Sequence, residues 1–223
     1  MSIAEKLVPE QSYTNVTYRK IADDLRQQGY SINQHSIPFD LAQSLALYAQ
    51  QMSNKQFHKA GIGRESNFTQ NKAVRGDEIC WISGESFVGQ QWLDWCGNLQ
   101  RYLNQQLFLG LFSFESHFAH YPPGAFYHKH LDAFKGEKNR VLSLVLYLNE
   151  DWLASDGGEL VLYPEESSDN TNATSVLPML GTSVIFLSEE FPHEVLPATR
   201  DRFSIAGWFR INTSHENCVD PPR

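Results

Sequence analysis

Phe118-Ala-His-Tyr-Pro-Pro-Gly-Ala-Phe-Tyr-His-Lys-His-Leu-Asp132 is the stretch on which the reading of this chain turns. A strand pattern leads into it from Leu111, with Phe112, Phe114 and Phe118 on alternate positions, and breaks at the turn Tyr121-Pro-Pro-Gly124. Beyond the turn, His130 and Asp132 stand two positions apart. On a strand such residues point to one face, so a short segment offers one metal ion an imidazole nitrogen and a carboxylate oxygen. His128 shares that parity, which makes a His128/His130 pair the alternative. The mixed pair is preferred because two imidazoles and one carboxylate leave about three positions of an octahedral ion open. His193, in Phe191-Pro-His-Glu-Val195, is the candidate third ligand. Arg202 follows nine residues later and opens the apolar run to Phe209. A guanidinium there suits an organic acid at the open positions, because it matches carboxylate bidentately. Arg200 has the same strand parity, and alternation does not separate the two.

Downstream, Val141–Leu148 is a long apolar strand, and Gly157-Gly158 turns into Glu159–Tyr163. Residues 165–175 are rich in Ser, Asp, Asn and Thr and read as a surface loop. Gly181–Leu187, the His193 segment and Arg202–Arg210 complete the set. Short strands separated by turns at this density predict a mainly β, double-sheet jelly roll. Upstream, helices are expected over Tyr18–Gln28, stopped by Gly29, over Pro38–Met52, with Leu41, Leu45, Tyr48 and Met52 at helical spacing, and over Gln91–Leu107. Trp92 and Trp95 on the last read as core. Glu78–Ile82 is strand-like. Residues before Tyr13 and after Asn212 read as tails. The expected organisation is one structural domain: a helical support region 1–110, carrying a polar loop at about 61–76, a β core 111–212 and a tail 213–223.

The chain has 223 residues, 41% of them hydrophobic and 20% charged, enough to bury a core. A net charge of −8 argues against a nucleic-acid backbone as the main partner. No signal peptide and no run long enough to span a membrane is visible. Three cysteines, Cys80, Cys96 and Cys218, give neither a disulfide framework nor a zinc pattern, and reduced thiols point to the cytoplasm.

The ordered set His130-x-Asp132, His193 and Arg202 resembles the iron- and 2-oxoglutarate-dependent dioxygenases. The likeness is closest to prolyl hydroxylases of the hypoxia-inducible-factor type and their bacterial relatives. It extends over Gln56–Arg210 through Arg75-Gly-Asp77, Ile79-Cys-Trp-Ile82, Tyr121-Pro122, Tyr147-Leu-Asn-x-Asp-Trp152, Gly157-Gly158, His193-Glu-Val195 and Trp208. The resemblance implies a double-stranded β-helix braced by N-terminal helices. It implies Fe(II) on His130, Asp132 and His193, with 2-oxoglutarate held at its far carboxylate by Arg202, which the family spacing selects over Arg200, and by Tyr147. Dioxygen is the second cosubstrate and ascorbate a supporting cofactor. Tyr121, Tyr127, Arg75, Asp77, Val195 and Trp208 would surround the substrate pocket, and the 61–76 loop would be mobile and close over a protein substrate. The implied reaction is C4 hydroxylation of a prolyl residue in a protein, with 2-oxoglutarate decarboxylated to succinate and CO2. For a bacterial member the implied protein is elongation factor Tu. Two alternatives stay open: a same-fold oxygenase acting on a free amino acid or another side chain, and a non-catalytic module binding proline-containing segments. His35, His58, His117, His120 and His215 fall outside the motifs and read as ordinary core or surface side chains.

Overall fold

One apolar strand serves two cores at once. Along Arg140–Tyr147, Leu142, Leu144 and Leu146 enter one buried cluster while Val145 and Tyr147 enter another. Period-two geometry requires this of a strand covered on both faces.

The structure is a computed structural model and describes residues 10–52, 56–59, 75–133, 139–164 and 172–212, without the side chains of 10–14. In chain order these form α1 (Glu10–Gln28), β1 (Tyr30–Asn33), α2 (Phe39–Gln51), β2 (His58–Lys59), β3 (Glu78–Trp81), α3 (Phe87–Leu107), β4 (Ser113–Tyr121), β5 (Tyr127–His130), β6 (Arg140–Tyr147), β7 (Leu160–Leu162), β8 (Thr174–Val176), β9 (Ser183–Leu187), β10 (His193–Val195) and β11 (Arg202–Arg210). One sheet runs β1-β9-β6-β11-β4-β3-β2 and the other β5-β10-β7-β8. This is the double-stranded β-helix expected from the sequence.

Three layers result. Ile21 and Leu25 of α1, Leu45 and Ala49 of α2 and Trp92, Trp95 and Leu99 of α3 pack on the large sheet through Leu142, Leu144, Leu146, Ile205 and Phe209. Each of the leucine, isoleucine and phenylalanine side chains, fully buried, stabilises the fold by about 1.5–3 kcal/mol. Between the sheets lies a second cluster: Ala119, Tyr121, Tyr147, Val184 and Phe186 against Leu160, Leu162, Val176 and Val195. The chemistry sits at one end of this inner layer.

Several boundaries differ from expectation. α1 begins at Glu10 rather than Tyr18, so residues 10–12 are helix and not tail; its first turns carry no apolar stripe to announce them. α3 begins at Phe87, four residues early, because the Ser86 hydroxyl caps the helix by accepting from Gly89 N. β1 was not expected at all. Its inward side chains, Ser31 and Asn33, are polar and bonded locally, Ser31 to Asp24 and Asn33 to Ser31, so no apolar alternation marks it. Thr174 and Ser175, read as loop, pair with β7 in β8. The expected loop lies outside the described residues for 61–74, as do residues 165–171 and the tail 213–223.

Candidate active site

β5 and β10 are neighbours in the small sheet, and His130 is the cross-strand partner of His193. Their imidazole centres are 4.3 Å apart. The carboxylate arrives differently from the expectation. β5 ends at His130, so Asp132 is not its strand neighbour; the chain bends through Leu131 and brings the side chain back. A hydroxyl from the opposite sheet fixes it there: Ser143 Oγ donates to Asp132 Oδ2 at 2.6 Å. Having spent its proton, Ser143 must accept from the buried Ser188 hydroxyl, 2.9 Å away.

His130 Nε2 lies 3.7 Å from Asp132 Oδ1, and His193 Nε2 lies 3.7 Å from Asp132 Oδ2. These separations are too long for hydrogen bonds, and the three donor atoms lie within 4.8 Å of one another. Each ring is turned by its other nitrogen. His130 Nδ1 pairs with the His128 carbonyl at 2.7 Å and His193 Nδ1 with the Phe191 carbonyl at 3.0 Å. Donation to those carbonyls leaves the Nε2 lone pairs facing the carboxylate, the arrangement a metal-binding histidine uses. His128 contributes that carbonyl, while its exposed ring stays outside the cluster. Burial acts to raise the Asp132 carboxyl, but His193, His130 and the Ser143 hydroxyl overcome it and hold the group far below the usual carboxylate range. Burial lowers His193, with Asp132 opposing. A carboxylate with neutral imidazoles is the ligation state of a divalent cation, and two nitrogens with one oxygen fit Fe(II) with open positions.

Arg202 opens β11 opposite Tyr121. Its side chain is 1% exposed, and Arg200 is exposed two residues earlier. Arg202 Nε donates to the Gly158 carbonyl at 2.8 Å and Nη1 to Ser204 Oγ at 3.3 Å, while Nη2 has no partner. The Tyr147 hydroxyl is likewise buried without a partner of hydrogen-bond geometry, and the guanidinium lies 5.2 Å from that ring. Burial raises the Tyr147 phenol, with Arg202 partly opposing, so it stays protonated. Two buried donors with nothing to donate to are costly; one carboxylate would satisfy both. Tyr147 lies four residues from Ser143 on one face of β6, about 13 Å along the backbone, and since Ser143 reaches Asp132 the anion anchor and the triad face the same inner layer. Gly158 is indispensable to the anchor. With φ at 74°, any Cβ would lie 2.9 Å from Ala198 Cβ and 3.1 Å from Arg202 Cδ.

The remaining predicted residues form a wall. Tyr127 stacks on His130 at 3.6 Å, and the Arg75 guanidinium covers its other side at 4.4 Å. Arg75 is ion-paired with buried Asp77 at 2.5 Å. Tyr121 is buried with Arg202 4.9 Å above its ring. Val195 packs between the sheets, paired with Tyr127. Trp208, cross-strand from Ser143, lies beneath the Arg140 guanidinium at 3.7 Å and against His117 at 5.5 Å. The buried His117 ring also meets Trp81 edge-on at 5.2 Å, and burial takes its pKa down to about 4. His120 Nε2 lies 2.7 Å from Asp201 Oδ1, away from the triad. Sequence reasoning passed over Ser143; its signal was a hydroxyl inside an apolar strand at the parity of Tyr147.

Residues 116–210 match the family model described as the 2OG-Fe(II) oxygenase superfamily. A solved prolyl-4-hydroxylase of Pseudomonas putida is 42% identical, with a TM-score of 0.78 over 87% of this chain and 99% of that one. The hypoxia-inducible factor prolyl hydroxylase of Caenorhabditis elegans is 39% identical over 98 residues, and human Egl nine homolog 1 is 31% identical over 150. These matches cover 43% and 62% of this chain but only 13% and 34% of the longer relatives.

Proposed function

The chain belongs to the 2OG-Fe(II) oxygenase superfamily, and on that premise we propose that it hydroxylates a prolyl residue of a protein substrate at C4. The observation that carries the reading is the pair of unsatisfied buried donors, Arg202 Nη2 and Tyr147 Oη, in the same inner layer as three converging metal ligands. That combination fits a dicarboxylate that binds a metal at one end and a cation at the other. The names of the Pseudomonas and nematode relatives favour proline over other side chains.

Fe(II) held by His130, Asp132 and His193 would supply, with dioxygen and 2-oxoglutarate, the oxidising power for C–H hydroxylation, releasing succinate and CO2. Everything else falls to the chain. The carbonyls of His128 and Phe191 keep both imidazoles in the ligating tautomer, and Ser143 holds the carboxylate toward them. Arg202 and Tyr147 bind the cosubstrate's far carboxylate, and the apolar surroundings strengthen that contact by excluding water. Tyr127, Tyr121 and Trp208 form the wall on which a proline ring would rest, and the Arg75–Asp77 pair braces Tyr127 from behind. Among the described residues no helix is long and apolar enough to cross a membrane. The free thiols of Cys80 and Cys96 accord with a cytoplasmic setting, which we include in the proposal, with ascorbate as supporting reductant.

Elongation factor Tu is the proposed substrate to try first. The test is mass spectrometry of lysate proteins incubated with the enzyme or with its His130→Ala variant. One added oxygen on a specific proline, absent with the variant, is the expected result. Steady 2-oxoglutarate turnover with no proline modified would reject the reading in favour of a small-molecule substrate.

A further inference from the structure

We propose that Tyr163 is a positioning residue for the metal centre, tying together the two histidine-bearing strands on the outer side of the small sheet. The inference rests on His130, Asp132 and His193 being the metal ligands. The β5–β10 ladder is irregular where it matters most. His193 faces His130, yet Val195 faces Tyr127, so two steps on β10 are matched by three on β5. A bulge of this kind leaves a residue unpaired and the ladder locally disrupted. It lies directly beside both imidazoles, where a slip would change their separation.

The outer side of the bulge carries a tie that the reaction itself does not use. Lys129 immediately precedes His130, and Glu194 immediately follows His193. Tyr163, just beyond β7, meets both. Its hydroxyl donates to Glu194 Oε1 at 2.5 Å, and Lys129 Nζ stands 3.7 Å over its ring. Its backbone N–H bonds to the Pro192 carbonyl at 2.9 Å. One residue thus contacts the chain neighbour of each imidazole ligand and the residue before the second. A phenol donating to a carboxylate while its ring lies under a cation gains from both charges, and a ring only 7% exposed keeps them in place. Side chains behind the ligands set ligand orientation and so metal retention. Tyr163 acts here through the strands instead of through a bond to either ring.

The experiment is Mn(II) titration of the full chain, with release into excess chelator timed separately. Tyr163→Phe keeps the ring and removes the donor; it should raise the Mn(II) dissociation constant about tenfold, mainly through faster release. Glu194→Ala should match it, and the double variant should be no worse than either single one. Glu194→Gln retains an acceptor and should stay within about twofold of wild type. A lower metal-free melting temperature with unchanged Mn(II) affinity and release would overturn the proposal, since a merely structural role predicts that pattern. If Tyr163→Phe does not fold, Glu194→Ala carries the same test. His130→Ala separates the two levels: retained Mn(II) binding there removes the ligand assignment, whereas lost binding there with normal release in Tyr163→Phe removes only the inference about Tyr163.

Discussion

Replacing Arg202 with methionine should remove most of the affinity for 2-oxoglutarate and leave the cosubstrate-free fold close to wild-type stability. The guanidinium is 1% exposed and bonded only to neutral partners, the Gly158 carbonyl and the Ser204 hydroxyl. Desolvating a cation without a counter-ion costs several kcal/mol, and its two hydrogen bonds return about 1.5–3 kcal/mol each. Methionine removes the desolvation cost and the bonds together, fills much of the space, and leaves two acceptors unpaired at about 1–3 kcal/mol apiece. The opposing contributions leave a net change within about 2 kcal/mol, or roughly 4–8 °C in melting temperature for a chain of this size. Binding has no such compensation. Losing a buried charge-assisted partner costs about 2–5 kcal/mol, tens- to thousands-fold in affinity. Calorimetric melting with Mn(II), with and without 2-oxoglutarate, reads both quantities. Wild type should gain thermal stability from the cosubstrate, and Arg202→Met should not. Arg200→Ala, which removes an exposed side chain with contacts of 3.4–3.5 Å, should behave as wild type. The reasoning fails if Arg202→Met unfolds readily yet keeps the cosubstrate-induced shift, or if Arg200→Ala is the damaging change.

Ser143→Ala should weaken Mn(II) binding by about tenfold or more, because Asp132 loses the hydroxyl that orients it; an Mn(II) titration checks this. Gly158→Ala should cost about 1–3 kcal/mol in backbone strain and also raise the KM for 2-oxoglutarate, since relief of the clash moves the carbonyl off Arg202 Nε; urea midpoints and steady-state kinetics separate the effects. His117 should make the fold acid-sensitive. It takes a proton near 6.5 when unfolded and only near 4 when folded, so the unfolded state binds more protons between those values. Its contribution is fully present above pH 6.5 and is lost as pH falls toward 4, at 1.36 kcal/mol per pH unit about 3 kcal/mol in all. Urea midpoints at pH 7 and pH 4.5 should therefore differ less in His117→Leu than in wild type.

The chemistry on offer and the kind of scaffold were legible in the order of residues. Donor type belongs to the side chain and spacing to the sequence, so His130, Asp132 and His193 could be offered as ligands, and the family resemblance chose Arg202 over Arg200. Period-two and helical patterns report burial, so the jelly roll and the inner faces of α2 and α3 were legible. Which side chains meet one another emerged from the fold alone. Periodicity says that a face is covered but not by what, and contacts between residues far apart in sequence leave no local trace. Hence β1, buried on polar Ser31 and Asn33, was invisible until β9 paired with it. Parity placed Asp132 on the histidine strand, whereas a bend and the Ser143 hydroxyl from the other sheet bring it to His130 and His193. Arg200 and Arg202 share parity, and what separates them in space is the pocket formed by Gly158, Ser204, Tyr121 and Tyr147, which buries one guanidinium and leaves the other in water.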